Sequence, residues 1–137
     1  MGLYSNRRYC PGAASGIGRA TVHAFADEGV TRFVLADVNL SGRRLSKPRL
    51  EKANADAKIH TVLAKTDTSV ESKVQRVVDQ GVKAFGAIHY SVNNAGVTST
   101  PRARSHELSM ATWDRFQGTT LRGVWLCQRA ENTQMLK

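Results

Sequence analysis

The sequence predicts an α/β fold in which a parallel sheet is covered by helices. Short apolar runs alternate with helical patterns along most of the 137 residues, and this alternation is typical of parallel sheets with helical crossovers. A glycine-rich segment follows the first of these runs, and the second run ends in an acidic residue. No internal repeat interrupts the order, so we expect one domain that spans residues 1–137.

Four strands and four helices are expected in this domain. The predicted strands lie near Tyr9 and over residues 32–37, 58–64 and 88–93. The predicted helices begin near Ile17, Leu40, Val70 and Met110. In the first helix, Ile17, Ala20 and Ala24 are expected to form a small apolar face against the sheet. Residues 96–108 are expected to form a loop over the ligand crevice.

The first strand has an unusual sequence for the centre of a sheet. Arg7 and Arg8 are adjacent, charged side chains are costly to bury without a partner, and Pro11 has no backbone donor. We therefore expect either a shortened first strand or an N-terminus that is not native.

Residues 12–18 read Gly-Ala-Ala-Ser-Gly-Ile-Gly and lie between the first strand and the first helix. Glycines accept positive φ and let a backbone approach a pyrophosphate closely, while a helix N-terminus offers N–H donors. Ser15 can add a hydroxyl contact. The segment predicts a phosphate-binding turn, and the alternative is an ordinary flexible loop, because such glycine spacing arises easily by chance.

Asp37 ends the second apolar run, 19 positions after Gly18. A carboxylate there accepts hydrogen bonds from the ribose hydroxyls of a dinucleotide and repels a 2′-phosphate. This favours NAD over NADP. NADP stays the alternative, because Arg43 and Arg44 follow closely and could reach a phosphate.

Together, the glycine turn, Asp37 and the segment Asn93-Asn94-Ala95-Gly96 resemble the short-chain dehydrogenase/reductase family over almost the whole chain. The resemblance implies a Rossmann-like doubly wound sheet in the order 3-2-1-4, and hydride transfer between a nicotinamide cofactor and an alcohol or carbonyl. It also implies that Asp67 and Thr68 contact adenine. The predicted cofactor-binding residues are Gly12, Ser15, Gly16, Ile17, Gly18, Asp37, Asp67, Thr68, Asn94, Ala95 and Gly96.

The family's catalytic tyrosine and lysine, spaced Tyr-x-x-x-Lys, are absent from this sequence. The residues four positions after Tyr4, Tyr9 and Tyr90 are Arg8, Ala13 and Asn94. In addition, Thr120 stands where the family has an asparagine that supports a water relay. We therefore expect a truncated, cofactor-binding half with no catalytic residue of its own and no appreciable turnover.

Composition excludes several other classes of protein. The formal net charge of +9 invites a nucleic-acid interpretation, but the basic residues are dispersed and no aromatic-basic stripe is present, so no specific nucleic-acid partner is expected. Cys10 and Cys127 are too far apart in sequence to suggest a metal pair, and the histidines show no ligand spacing. We expect no metal and no membrane segment, and a cytoplasmic location.

Three hypotheses remain for function. The first is an oxidoreductase represented by its cofactor-binding half, with a small alcohol or carbonyl as substrate. The second is a non-catalytic dinucleotide-binding or interaction remnant, and the third is a basic interaction protein that keeps only the fold. Since the fourth strand is expected to have a bare edge, marginal stability and self-association are also expected. The helix from Met110 resembles one that makes dimer contacts in the family, although core packing is an equal use for its apolar residues.

Overall fold

Four parallel strands form one sheet in the computed structural model, which describes residues 7–39 (backbone only over Arg7–Pro11), 60–97 and 103–137. The strands are β1 (Arg7–Pro11), β2 (Arg32–Asp37), β3 (His60–Lys65) and β4 (Tyr90–Ser91). Their order is β3-β2-β1-β4. The predicted parallel sheet and its strand order are confirmed.

The first strand is not shortened, so this part of the two-way expectation is wrong. All five residues of β1 pair with β2, from Arg7 opposite Arg32 to Pro11 opposite Ala36. Pro11 is the last residue of the strand, and the next N–H, that of Gly12, donates to the Ala36 carbonyl at 2.8 Å. The ladder therefore continues past the proline at the point where the glycine turn begins.

The fourth strand is shorter than predicted. It comprises two residues, Tyr90 and Ser91, whereas the apolar pattern predicted residues 88–93. Within the described residues β4 pairs with β1 alone, with Arg8 opposite Tyr90 and Tyr9 opposite Ser91. Ile88 is buried just before the strand, which explains why the pattern suggested a longer element.

The helices are α1 (Gly16–Asp27), α2 (Glu71–Phe85), α3 (Met110–Phe116) and α4 (Gly123–Met135). A π-helical segment, Gln117–Arg122, joins α3 to α4, and a short 3₁₀ helix, Ser105–Glu107, precedes α3. The helix predicted to begin near Leu40 lies outside the described residues, and so does the basic pair Arg43 and Arg44. Among the described residues, the helices are too short or too polar to pass through a bilayer.

The predicted inner face of α1 is wrong. Ile17, Ala20 and Ala24 are exposed, with Ile17 at 77% of its full accessibility. The buried residues of α1 are Gly18, Val22 and Ala26. Their spacing of four residues gives the same helical period, but it starts one residue later because Gly18 faces the turn.

The core has two halves, one on each face of the sheet. Successive residues of β2 alternate between them: Phe33 and Leu35 pack with α1, whereas Val34 and Ala36 pack with α2 and α4. All four are buried, and a fully buried Val, Leu or Phe side chain contributes about 1.5–3 kcal/mol. Two-sided burial of β2 fixes the position of Asp37 at its end.

Candidate functional site

A cleft of about 910 Å³ lies at the carboxyl ends of the strands. Ligands bind at this edge in open α/β sheets, and the volume falls within the range of small-molecule sites. All the predicted site residues except Gly18 line this cleft: Gly12, Ser15, Gly16, Ile17, Asp37, Asp67, Thr68, Asn94, Ala95 and Gly96. The structure thus brings together segments that are more than 50 residues apart in sequence.

The turn after β1 requires glycine for two separate reasons. Gly12 has φ +79°, and a Cβ on it would lie 2.9 Å from the Ala95 backbone nitrogen. Gly16 has φ +53°, but a Cβ there would meet nothing within 4 Å. Gly12 therefore lets two backbones touch, whereas Gly16 leaves open space at the start of α1.

Gly18 lies behind the cleft and allows α1 to pack on the turn. A Cβ on Gly18 would lie 2.1 Å from the Gly12 carbonyl oxygen and 2.7 Å from Asn94 Nδ2. These distances are too short for any side chain. Gly18 therefore shapes the site through packing, and it does not line the cavity.

The N-terminus of α1 opens into the cleft. Ser15 occupies the N-cap position with extended backbone, and its side chain makes no capping hydrogen bond to the helix. The first turn of a helix carries backbone N–H groups without intrahelical partners and a partial positive charge, which suits an anion. Ser15, Gly16 and Ile17 together form the part of the cleft best suited to a phosphate.

Asp37 connects the end of β2 to the glycine turn. Its Oδ2 accepts the Ala14 N–H at 3.0 Å, and its Oδ1 accepts the Asn39 N–H at 2.8 Å. These backbone bonds hold the carboxylate at the cleft wall. Each oxygen keeps a second lone pair that can accept a hydrogen bond from a ligand hydroxyl.

Asp67 and Thr68 form the wall that follows β3. The Asp67 Oδ1 accepts the Ser69 N–H at 3.0 Å and the Ser69 hydroxyl at 2.6 Å. The hydroxyl bond is the main cause that lowers the pKa of Asp67, while burial acts in the opposite direction. Thr68 is buried, and its hydroxyl lies 2.9 Å from where a Cβ of Gly123 would stand, so Gly123 allows α4 to reach this wall.

The segment after β4 closes the opposite side. Asn94 Nδ2 lies 3.1 Å from the Cβ position of Gly12 and 2.7 Å from that of Gly18. The Asn94 amide thus fills the space that the two glycines leave open. This contact explains physically why the turn and the Asn94–Gly96 segment must fit each other.

Asn93 faces away from the cleft, toward α4. Its Nδ2 donates to Glu131 Oε2 at 2.9 Å, and Glu131 is only 2% exposed. Burial raises the pKa of Glu131, and the Asn93 amide and the Ser91 hydroxyl oppose this shift. Sequence reasoning missed Glu131, because it lies among polar residues of α4, between Arg129 and Asn132, and no local pattern marks it as buried.

The sequence also missed the wall formed by α3 and the π-helical segment. Asp114, Arg115, Gly118 and Thr119 line the cleft there. Thr120, the predicted departure from the family pattern, places its Oγ1 3.9 Å from the Cβ position of Gly96. π-helical turns recur at functional sites, but they have no sequence signature strong enough to predict this one.

Comparison with known proteins agrees with this geometry. The family model described as Enoyl-(Acyl carrier protein) reductase matches residues 12–137. The chain is 35% identical over 116 residues to cis-4-hydroxycyclohexanecarboxylate dehydrogenase of Sinomonas cyclohexanicum, covering 85% of this chain and 44% of that protein. The chain spans about half the length of the curated relatives it matches.

Solved structures of reductases are also similar to this chain. Levodione reductase superposes with a TM-score of 0.87 at 30% identity, over 98% of this chain and 50% of that one. The 3-ketoacyl-(acyl-carrier-protein) reductase from Brucella melitensis, complexed with NADH, has a TM-score of 0.80 at 26% identity, over 93% and 49%. The sheet order, the glycine turn and these matches agree, and the chain belongs to the short-chain dehydrogenase/reductase family.

Proposed function

We propose that this chain forms the dinucleotide-binding half of an oxidoreductase that transfers hydride between a nicotinamide cofactor and a small alcohol or carbonyl compound. The observation that carries the proposal is the single cleft shared by the glycine turn, Asp37, Asp67 and the segment 94–96. A relative of known structure, the Brucella melitensis reductase, was solved with NADH. Nicotinamide, when bound, would supply the hydride chemistry.

The residues present fit a dinucleotide. The open space at Gly16 and the first turn of α1 would receive the pyrophosphate, with Ser15 as an additional donor. Asp37 would accept the adenosine ribose hydroxyls, and Asp67 with Thr68 would contact the adenine. Asn94, Ala95 and Gly96 would form the wall along the rest of the cofactor.

The proposed preference is NAD over NADP. The carboxylate of Asp37 is held by the Ala14 and Asn39 N–H groups, so it cannot easily turn away from a 2′-phosphate. Like charges at close range disfavour that ligand. NADP is the alternative that Arg43 and Arg44 would favour, but both lie outside the described residues.

For the sequence as given, we propose cofactor binding without appreciable turnover. It holds no Tyr-x-x-x-Lys pair, and Thr120 cannot present an amide. General acid–base catalysis is worth about 10²–10⁴-fold in rate. A non-catalytic dinucleotide-binding protein is therefore the second candidate, and robust dehydrogenase turnover by the purified chain would exclude it.

The test is a titration of the purified 137-residue chain with NADH and NADPH at fixed salt, followed by nicotinamide fluorescence and thermal stability. NADH binding tighter than NADPH binding supports the proposal and its specificity. Equal binding of the two would keep the site and remove the role of Asp37 in selection. No binding of either, with binding to polyanions that falls as salt rises, would replace the proposal with the basic interaction protein.

We also propose a cytoplasmic location.

A further proposal is self-association through the outer face of the helix that runs from α3 to α4. Met110, Trp113, Leu121 and Trp125 are exposed at spacings that place them along one side of this helix. Sedimentation velocity over a range of concentrations measures the oligomeric state. A monomer at all concentrations would contradict this part.

A further inference from the structure

Glu131 is a buried acid that the proposed cofactor chemistry does not use. It lies on α4, one helical turn after the buried Cys127, and is 2% exposed. Its one hydrogen bond with normal geometry comes from the Asn93 amide, at 2.9 Å. No positively charged group in the described part of the chain contributes to its ionisation. A buried carboxylate without a countercharge is costly to keep ionised.

Three polar atoms around this bond lack a hydrogen-bond partner among the described residues. They are Glu131 Oε1, Asn93 Oδ1 and Ser91 Oγ. The Ser91 hydroxyl is near enough to favour the charged carboxylate, yet it makes no hydrogen bond of normal geometry with it. The Asn93 oxygen is an acceptor without a donor. A neutral carboxyl adds one O–H donor to this cluster, whereas an ionised one adds only acceptors.

The cluster is directly connected to the cleft. Asn93 is followed by Asn94, whose amide fills the space beside Gly12 and Gly18, and then by Ala95 and Gly96 of the cleft wall. Holding the Asn93 side chain on α4 therefore fixes the backbone from which this wall begins. A change in the Glu131 side chain therefore affects the cleft wall through Asn93.

We propose that Glu131, in its protonated form, is a positioning residue: one carboxyl oxygen accepts the Asn93 N–H, and the O–H is a donor for the unpaired acceptors beside it. Ionisation keeps the first bond but removes this donor and leaves a buried charge that draws water in, which loosens the 94–96 wall and weakens dinucleotide binding. The effect on dinucleotide binding rests on the proposed function. The protonation of Glu131 and its hydrogen bond with Asn93 do not depend on that function.

Within the described ranges, few other titratable groups face Glu131. On α4 the buried Cys127 thiol lies one helical turn before it, and Arg129 instead pairs with Glu71 of α2 at the exposed surface. On β4, Tyr90 is half exposed and lies on the opposite face from Ser91. On β1, Tyr9 is in register with Ser91. Because E131Q keeps every other titratable group of the chain, its comparison with wild type isolates the Glu131 carboxyl.

The first experiment compares the stability of wild type, E131Q and E28Q between about pH 5 and about pH 8. Burial raises the pKa of Glu131 above its ordinary value of 4.5. Its contribution is therefore complete below 4.5 and is lost as the pH rises through the folded-state pKa. Glu28 is exposed, so E28Q is the control for removing a carboxyl. Wild type and E28Q both keep Glu131, and we expect their melting temperatures to fall more than that of E131Q as the pH rises. Parallel profiles for all three would overturn the proposal.

The second measurement needs no variant and so is independent of whether E131Q folds. Carboxyl ¹³C NMR titration of the wild-type chain should show one Glu carboxyl that titrates well above the others, with the Asn93 side-chain amide signals shifting at the same pH. Ordinary titration of every Glu carboxyl would overturn the proposal.

The third measurement is the Kd for NADH across the same pH range. For wild type and E28Q, which both keep Glu131, we expect the Kd to rise about fivefold or more over the range. For E131Q we expect the Kd to change with pH by no more than the Kd values of E28Q and wild type differ from each other. Binding with identical pH dependence in wild type and E131Q would overturn the inference and leave the proposed function standing. No NADH binding at any pH would overturn the proposed function and the binding part, while the NMR titration still decides the protonation of Glu131.

Discussion

The two sides of the cleft are built by different means. The side formed by the glycine turn and α1 is fixed by backbone: Gly12 and Gly18 leave no room for a Cβ, and the Gly12 N–H continues the ladder to Ala36. The side formed by residues 94–96, after β4, is held from behind by a side-chain pair, Asn93 with Glu131 of α4, 38 residues apart. Backbone contacts tolerate no substitution, whereas a side-chain pair can respond to pH.

The largest expected effect tests the backbone side. In G18A the new Cβ would stand 2.1 Å from the Gly12 carbonyl oxygen, so either the turn or α1 must move. Overpacking of this kind costs about 3 kcal/mol, which corresponds to a fall of roughly 10 °C in melting temperature for a chain of this size. Thermal denaturation of the purified chain measures it.

G16A is the matched control for this prediction. The same methyl group would meet nothing within 4 Å, although φ +53° carries a conformational cost of about 1 kcal/mol. We expect G16A to be clearly more stable than G18A. Equal destabilisation would mean that the close packing at Gly18 costs no more than the positive φ at Gly16, and the comparison between the two sides would fail.

The sequence predicted the backbone side well and the side-chain side poorly. Glycine spacing and the apolar run before Asp37 are local patterns, and both reach the cleft. On the other side the Asn94–Gly96 segment also reaches the cleft, but the pair that supports it was not predicted. The Asn93–Glu131 pair depends on two elements meeting in space, which no local period encodes. The predicted face of α1 is wrong for a related reason: Gly18 has no side chain to signal burial, so the apolar pattern indicates Ile17, which is exposed.

Asp37 gives the next largest effect, on ligand selection. D37N keeps an acceptor oxygen for the Ala14 N–H but removes the negative charge. We expect the preference for NADH over NADPH to fall by about tenfold, which equals 1.4 kcal/mol. Parallel titrations with both cofactors measure the ratio, and D27N, at an exposed acid of α1, serves as the control. An unchanged ratio in D37N would show that groups other than the Asp37 carboxylate select the cofactor.

A smaller effect is expected at Asp67, where a side-chain bond reinforces a backbone turn. S69A removes the hydroxyl that is the main cause of the lowered pKa of Asp67. In wild type this stabilisation is present above the ordinary value of 3.8 and is lost as the pH falls through the folded-state pKa. We expect S69A to be less stable by about 1 kcal/mol near neutral pH and to lose less on acidification.

Urea denaturation at neutral and acidic pH measures both parts of this prediction. S72A, at an exposed serine of α2, is the control for losing a hydroxyl. If S69A and wild type lose the same stability on acidification, the Ser69 hydroxyl does not set the titration of Asp67.

The smallest effect is expected at the outer surface of the side-chain wall, where Glu71 of α2 pairs with Arg129 of α4. Both side chains are about half exposed, and Arg129 also lies over the Trp125 ring at 4.8 Å. Exposed ion pairs contribute about 0–1 kcal/mol. E71Q should therefore change the free energy of unfolding by less than E131Q changes the fall of that free energy between about pH 5 and about pH 8.

A double-mutant cycle with R129Q separates the ion pair from the ring contact. A coupling above roughly 1.5 kcal/mol would exceed what solvent screening permits, and would mean that this ion pair is a substantial support of α4 against α2. The same substitution of glutamate by glutamine, made at an exposed and at a buried position of neighbouring helices, thus measures how far burial alone turns a carboxyl into a pH-sensitive support.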